Sequence, residues 1–266
     1  MLRRVIASPA GRVNSCEKLA AKALFAVAAT VTADQITSRH VREAFALIRD
    51  GGYAQTTRRL AATYLKRLLN QLVADGVHPS LPAQVPNLPS PHPRAVTVTV
   101  AQLDNLIAAA PPWLRLVILL CHDCALRSGT ARKLTWSHVV ENTICVPTKR
   151  GAVARVPVSG RLQALLEHCP KGDGPLVQLM FGKRMPETTL SLYWRQLLAV
   201  TGCPKGLRLH DLRRTMAEKA YEVTGDLRLV QLLLGHGALG STLHYLQRPA
   251  ARLTAQLAAA VHEVTK

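Results

Sequence analysis

Residues 207–245 carry three short blocks: Leu207-Arg208-Leu209-His210-Asp211-Leu212-Arg213-Arg214-Thr215, then Leu233-Leu234-Gly235-His236-Gly237, then Thr242-Leu243-His244-Tyr245. Apolar spacing with Gly225 and Gly235 as stops predicts two helices here, His210 to Val223 and Leu227 to Leu234. The blocks bring two histidines, an arginine and a tyrosine behind apolar residues, and far upstream Arg127 stands in Ala125-Leu126-Arg127-Ser128. Such side chains suit chemistry at a phosphodiester. Cleavage there needs a nucleophile, charge stabilisation on the non-bridging oxygens, and a proton for the leaving oxygen. Arginine grips two phosphate oxygens with its planar fork. Lysine and histidine move protons, and tyrosine can store bond energy as a phosphoester.

The charge balance agrees. Thirty-four Lys and Arg stand against sixteen Asp and Glu in 266 residues, a net +18 that suits a polyanionic partner. It argues against a small-molecule enzyme or a structural protein. A hydrophobic content of 48% supplies a packed core, and the length allows two modest domains. Cys121-His122-Asp123-Cys124 has the spacing of a metal or redox pair, but no second such pair accompanies it. The expectation is buried, reduced thiols on a helix, without a metal, in a reducing cytoplasm. Leu19 to Val31, interrupted by Lys22, is too short to span a bilayer, so no membrane association is expected. Met1-Leu2-Arg3-Arg4, acid-free as far as Glu17, reads as a basic tail, with a transit-like leader as the alternative.

Pro79, Pro82, Pro86, Pro89, Pro91 and Pro93 forbid helix or central strand and mark an extended connector. The expected organisation is a helical domain over 1–80, a linker over 81–95, a larger domain over 96–249, and a terminal helix over 250–266. In the first domain the expected helices are Ser15 to Val31, Ser38 to Asp50 capped by Ser38, and Ala54 to Asp75. The last shows an apolar face of Leu60, Tyr64, Leu65, Leu68, Leu69, Leu72 and Val73. Arg58, Arg59, Lys66 and Arg67 lie off that stripe, as DNA-backbone contacts or as ordinary solvated charge. The larger domain should hold helices over Val100 to Ala109, Trp113 to Leu126, Arg161 to His168 and Glu187 to Val200. Val139 to Val146 and Val153 to Val158 read as two strands of a hairpin turning through 147–151. The fold class is mainly α with a small antiparallel sheet.

At these residues the chain resembles the tyrosine recombinase, or phage integrase, family, over roughly Thr97 to Gln247. His210-Asp211-Leu212-Arg213 looks like the family's H-x-x-R box, and Leu234-Gly235-His236 like its L-G-H box. Tyr245, nine residues after His236, falls where the family keeps its nucleophile. Arg127 looks like the first catalytic arginine, and Lys149 or its neighbour Arg150 like the hairpin lysine. Two positions depart from the pattern. Thr130 stands where an acid commonly follows the first arginine, and is expected instead to cap the next short helix; Ala125 stands where glycine is common.

The resemblance implies a simple, Xer-like or mobile-element integrase of cytoplasmic location without an arm-binding domain. Its helical core-binding domain and catalytic domain would clamp duplex DNA bearing an inverted-repeat core site. Arg58, Arg59, Lys66, Arg67, Arg150 and Arg214 would contact that DNA, and the 250–266 helix would dock on the next protomer of a tetramer. Strands would be cut and rejoined through a 3′-phosphotyrosine, with no cofactor, ATP or metal. Arg127, Lys149, His210, Arg213, His236 and Tyr245 are the implied catalytic set. The residues leave two rivals. One is a non-catalytic DNA-binding protein, since His210 to Leu234 alone reads as a helix-turn-helix; the other is a type IB topoisomerase-like enzyme that relaxes supercoils without exchanging partners.

Overall fold

The computed structural model describes residues 15–80, 85–89, 96–147, 153–178, 184–204, 206–237 and 242. Lys149, Arg150, Tyr245, the hairpin turn, most of the proline-rich stretch and the 250–266 segment lie outside these. The chain divides into two compact units, Met1–His92 and Pro93–Lys266, so the division falls within the proline-rich stretch.

In the first unit, α1 (Ser15–Val27), α2 (Ser38–Asp50) and α3 (Gln55–Ala74) pack on one another. Ala20, Ala21, Leu24, Val41, Ala44, Ile48, Leu65 and Leu69 form their core. The cap of α2 is Thr37 rather than Ser38: Thr37 N–H donates to His40 Nδ1 at 3.2 Å. The buried face of α3 is also rotated from the expected one. Ala61 and Ala62 are buried while Leu60 is 42% exposed, because small residues let the crowded helices approach.

The second unit is built round α5 (Pro112–His122), which follows α4 (Val100–Ala109). Its run Leu116 to Cys121 is buried on every side, as a helix apolar all round must be. It packs against α4, the short α6 (Ser128–Ala131), α7 (Gly160–Glu167) and α9 (Leu209–Thr224). The remaining helices are α8 (Glu187–Val200) and α10 (Leu227–Leu234). Trp194 of α8 donates its ring N–H to the Leu207 carbonyl at 2.8 Å, and Thr215 of α9 accepts from Val98 N–H at 3.1 Å. These bonds fix the entry to α9. As expected, Gly225 and Gly235 end α9 and α10 in the left-handed conformation, at φ 63° and 58°.

The sheet is antiparallel in the order β1 (Val139–Val140), β2 (Thr143–Pro147), β3 (Val153–Pro157). Thr143 faces Pro157, Ile144 faces Val156, and Pro147 faces Val153. The single strand expected over Val139 to Val146 is in fact two, broken by a tight turn where Glu141 takes φ 53°. The β-branched residues on either side outweighed Glu141-Asn142, which form that turn.

Helix α5 also ends earlier than the expected Leu126. A buried polar knot stops it: Asp123 caps the helix and receives Arg161 Nε at 2.8 Å, Arg161 Nη2 at 2.5 Å and Ser159 Oγ at 2.5 Å. His122 Nδ1 lies 2.7 Å from the same carboxylate. Burial works against this carboxylate, but donors from Arg161, His122 and Ser159 and the Arg161 charge hold its pKa well below the usual range. Ser159 also caps α7, so the knot ties the end of α5 to the start of α7. The CxxC cysteines flanking it are buried thiols: burial pushes both Cys121 and Cys124 up to about 12, which leaves them uncharged and unreactive.

Breaking the knot from its two sides should cost different amounts. Arg161→Ala strands a carboxylate that is 6% exposed, whereas Asp123→Ala leaves a guanidinium 41% exposed that rehydrates. Urea denaturation is expected to show about 3 kcal/mol lost for Arg161→Ala and about half that for Asp123→Ala. Equal losses would contradict this account.

Candidate functional site

After Asp123 the chain turns sharply. Ala125 takes φ 48°, a left-handed conformation that glycine adopts freely and that costs an L-residue about 1–2 kcal/mol. Its methyl group is fully buried with Ala217, Val230 and Leu234, which offsets part of that cost. The turn aims the Ala125 carbonyl at α9, where Arg213 Nη1 donates to it at 2.5 Å.

Arg213 is 2% exposed and draws together three distant stretches of chain. Its Nη2 donates to the Leu234 carbonyl at 2.7 Å and to His236 Nε2 at 3.0 Å. Placing a guanidinium so deep is tolerable because carbonyls at its rim accept from it. His210 sits one turn ahead on the same side of α9, exposed within an otherwise buried first turn, which is the geometry an H-x-x-R spacing produces. Asp211, inside that first turn, accepts from Arg208 N–H at 2.8 Å and caps the helix.

His236 follows the left-handed Gly235 at the end of α10. Gln231 holds its backbone from both sides, with His236 N–H on the Gln231 carbonyl at 3.1 Å and Gln231 Nε2 on the His236 carbonyl at 3.0 Å. Arg127 is exposed at the start of α6, its carbonyl accepting from Thr130 N–H at 2.8 Å and Ala131 N–H at 2.9 Å. Thr130 therefore lies within the short helix rather than capping it.

Burial, then the Arg213 charge, then Arg127 and His210, push the His236 pKa down to about 4. Burial and the Arg213, Arg127 and Arg208 charges also lower His210, against an opposing pull from Asp211. Both rings are neutral at pH 7, so the positive charge of the cluster resides on its arginines. Arg127 lies close enough to both histidines to act on them. Arg127, His210, Arg213 and His236 thus form one electropositive cluster, suited to an anion.

The expected DNA-contacting cations fare unequally. Arg214 is buried, its Nε on Glu218 Oε1 at 2.7 Å; it is spent on its own helix, one turn along, and is not offered to a phosphate. Arg58 donates to the Arg49 carbonyl at 2.9 Å. Arg59 and Lys66 are exposed and line a cleft of about 360 Å³ with Thr63 and Asn87. Arg67 is exposed and stacks 5.4 Å over the Tyr64 ring. Sequence reasoning missed the Asp123–Arg161 knot, the Ala125 and Leu234 carbonyls, and Thr242, whose buried hydroxyl lies 3.1 Å from His236 Nδ1. Only Ala125 left a trace, as an alanine where glycine is common.

A profile of the Phage integrase family matches residues 97–252, which takes in every member of this cluster. The chain belongs to the phage integrase family. Among its relatives, a "Tyrosine recombinase XerC" of Methylobacterium sp. (strain 4-46) is 30% identical over 65% of this chain and 59% of that protein. The chain so spans about three fifths of that relative's length. A "Tyrosine recombinase XerC" of Ralstonia pickettii (strain 12J) is 24% identical over 82% of this chain and 77% of its own. Among solved structures, XerH site-specific recombinase bound to palindromic difH substrate superposes with a TM-score of 0.73 at 20% identity, covering 93% of this chain and 79% of that one. A lambda integrase tetramer bound to a Holliday junction gives 0.68 at 20%, covering 89% and 76%. These likenesses confirm the mainly α fold with its small sheet. No helix among the described residues is long and apolar enough to cross a membrane.

The depressed histidines set a pH dependence. An unfolded histidine protonates near 6.5 and folded His236 near 4, so between these values the unfolded chain binds more protons. Stability of the DNA-free protein is expected to be level above about pH 6.5 and to fall as the pH drops toward 4. Melting temperature against pH measures this, and His236→Gln should flatten the slope. An unchanged slope in that variant would refute the assignment.

Proposed function

We propose that the protein is a site-specific DNA recombinase that cuts and rejoins strands through a 3′-phosphotyrosyl intermediate. The observation carrying this reading is the gathering of Arg127, His210, Arg213 and His236, from three separate parts of a phage-integrase chain, round one electropositive point. Arg127 and Arg213 bind the scissile phosphate and stabilise the extra charge of its transition state. Neutral His210 takes the proton of the Tyr245 hydroxyl as its oxygen bonds to phosphorus. The bond to the 5′-oxygen breaks, and Lys149 gives that oxygen a proton. Burial and the Arg213 and Arg127 charges keep the His236 ring neutral; the incoming phosphate offsets those charges, so His236 can gain a proton and donate to a phosphate oxygen. A 5′-hydroxyl of the partner duplex then attacks the phosphotyrosine, releasing the tyrosine and joining the new strand. The bond energy is conserved throughout.

The helix-turn-helix reading has less support. In that motif the second helix reads the groove, and here it is α10, whose exposed large hydrophobics are Leu229 and Leu232 and whose Gln231 is held on the His236 carbonyl, which leaves it little to read base edges. The relatives named as tyrosine recombinases, and the neighbours solved on DNA, support duplex DNA as the substrate. The neighbour solved as a tetramer on a junction supports assembly of four protomers on two sites. Arg59, Lys66 and Arg67 would then grip phosphates in a salt-dependent way.

The test is a nicked suicide duplex made from the inverted repeats that flank the gene. Wild type should form a DNA adduct resistant to detergent, and Tyr245→Phe should form none. An adduct with Tyr245→Phe would falsify the assignment of the nucleophile. Recombination between two such sites on a plasmid, as opposed to relaxation alone, separates a recombinase from a topoisomerase. Deleting residues 250–266 should leave single-site binding nearly unchanged and lower tetramer yield in gel-shift assays; full tetramer yield would count against a trans-docking tail.

A further inference from the structure

Thr242 has no part in the chemistry just described, yet its hydroxyl lies against the cluster. Its side chain is 0% exposed, and its Oγ1 lies 3.1 Å from His236 Nδ1. On the other side of the same ring, Arg213 Nη2 lies 3.0 Å from Nε2. A guanidinium only donates, so Nε2 must accept. In the neutral ring the proton is then on Nδ1, where the threonine hydroxyl accepts it. The three side chains make one directed chain, Arg213 to His236 to Thr242.

We infer that Thr242 is a positioning residue: by accepting from His236 Nδ1–H it fixes the tautomer and orientation of that ring, so that Nε2 always faces the arginines. This deepens the proposed function and rests on it. The threonine accepts in both states of the ring. When the ring is neutral, Nε2 braces Arg213. When a phosphate enters and the ring gains a proton, Nδ1–H stays on Thr242 and the new Nε2–H points inward, toward the oxygen it must stabilise. Without the acceptor, Nδ1–H is left buried and unsatisfied, and relieving it by turning the ring or moving the proton to Nε2 weakens the contact to Arg213. Thr242 also stands three residues before Tyr245 in the chain, so its hydrogen bond anchors a neighbouring position in the sequence to the cluster.

Thr242→Val keeps the buried shape and removes the acceptor; Thr242→Ser keeps the acceptor. On the same nicked duplex, Thr242→Val is expected to form adduct about 10- to 100-fold more slowly, a loss like that on removing other groups that orient a functional histidine. DNA affinity should be unchanged, and Thr242→Ser should restore the rate. The double variant His236→Ala/Thr242→Val should be no slower than His236→Ala, because the threonine acts through that ring. Nitrogen NMR of the DNA-free protein should find the His236 proton on Nδ1 alone in wild type and shared between the two ring nitrogens in Thr242→Val, where only Arg213 still favours one of them. A wild-type rate for Thr242→Val, fully additive losses in the double variant, or an Nδ1 proton that stays in place would each overturn the inference. Adduct formation by Tyr245→Phe defeats the strand-cleavage reading instead, and the NMR result then decides the Thr242 contact by itself.

Discussion

A guanidinium buried to 2% exposure must find acceptors or unfold its surroundings, and Arg213 finds them in three places. The Ala125 carbonyl comes from the turn after α5, the Leu234 carbonyl from the end of α10, and Nε2 from His236. None of these segments has its site geometry alone. The strained left-handed turn at Ala125 and the left-handed stop at Gly235 are joined together by one side chain from α9. Lysine cannot replace it, since a single ammonium does not span acceptors lying in different directions. The fold of the second unit and the shape of the cluster therefore hang on the same group.

Around it, charge is arranged in layers of differing mobility. The Asp123–Arg161 knot neutralises itself inside the protein and locks the start of α7 to the end of α5. At the cluster, burial first and the arginine charges second keep both histidines neutral at pH 7. An electropositive site that holds its own proton carriers uncharged is suited to an anion that alters their protonation on arrival. Position 130 illustrates the economy of this layout. No acid follows Arg127, and the arginine's backbone is instead held by the first turn of α6, through Thr130 and Ala131 N–H.

Much of this was legible in the residues. Glycine stops, capping residues and apolar spacing located α4, α8 and α10 at their true bounds, because those signals are local. The H-x-x-R and L-G-H blocks pointed to Arg213 and His236 through their likeness to the family's boxes. What stayed hidden was tertiary. Nothing local says that Leu60 faces solvent while Ala61 packs inside, or that Arg214 turns back to Glu218. Strand composition concealed the turn at Glu141. The Ala125 and Leu234 carbonyls are invisible to any reading by side-chain type, since every residue carries one. Thr242 lacked a signal of its own, because threonine is common and its importance comes only from the ring it touches.

The two arginines of the cluster differ in one respect that reaches beyond their positions. Arg213 is already immobilised before any phosphate arrives, and its ordering was settled when the chain folded. Arg127 is exposed, and an exposed arginine surrenders about 2 kcal/mol of rotamer entropy when it closes on a ligand. In the proposed reaction a phosphate seated correctly between them would recover that loss through the bidentate grip of Arg127. One seated an ångström away would meet the fixed arginine without repaying the ordering of the exposed one. The pair would so act as a ruler and a latch: a rigid group measures the position, and an exposed one commits only when the measurement agrees.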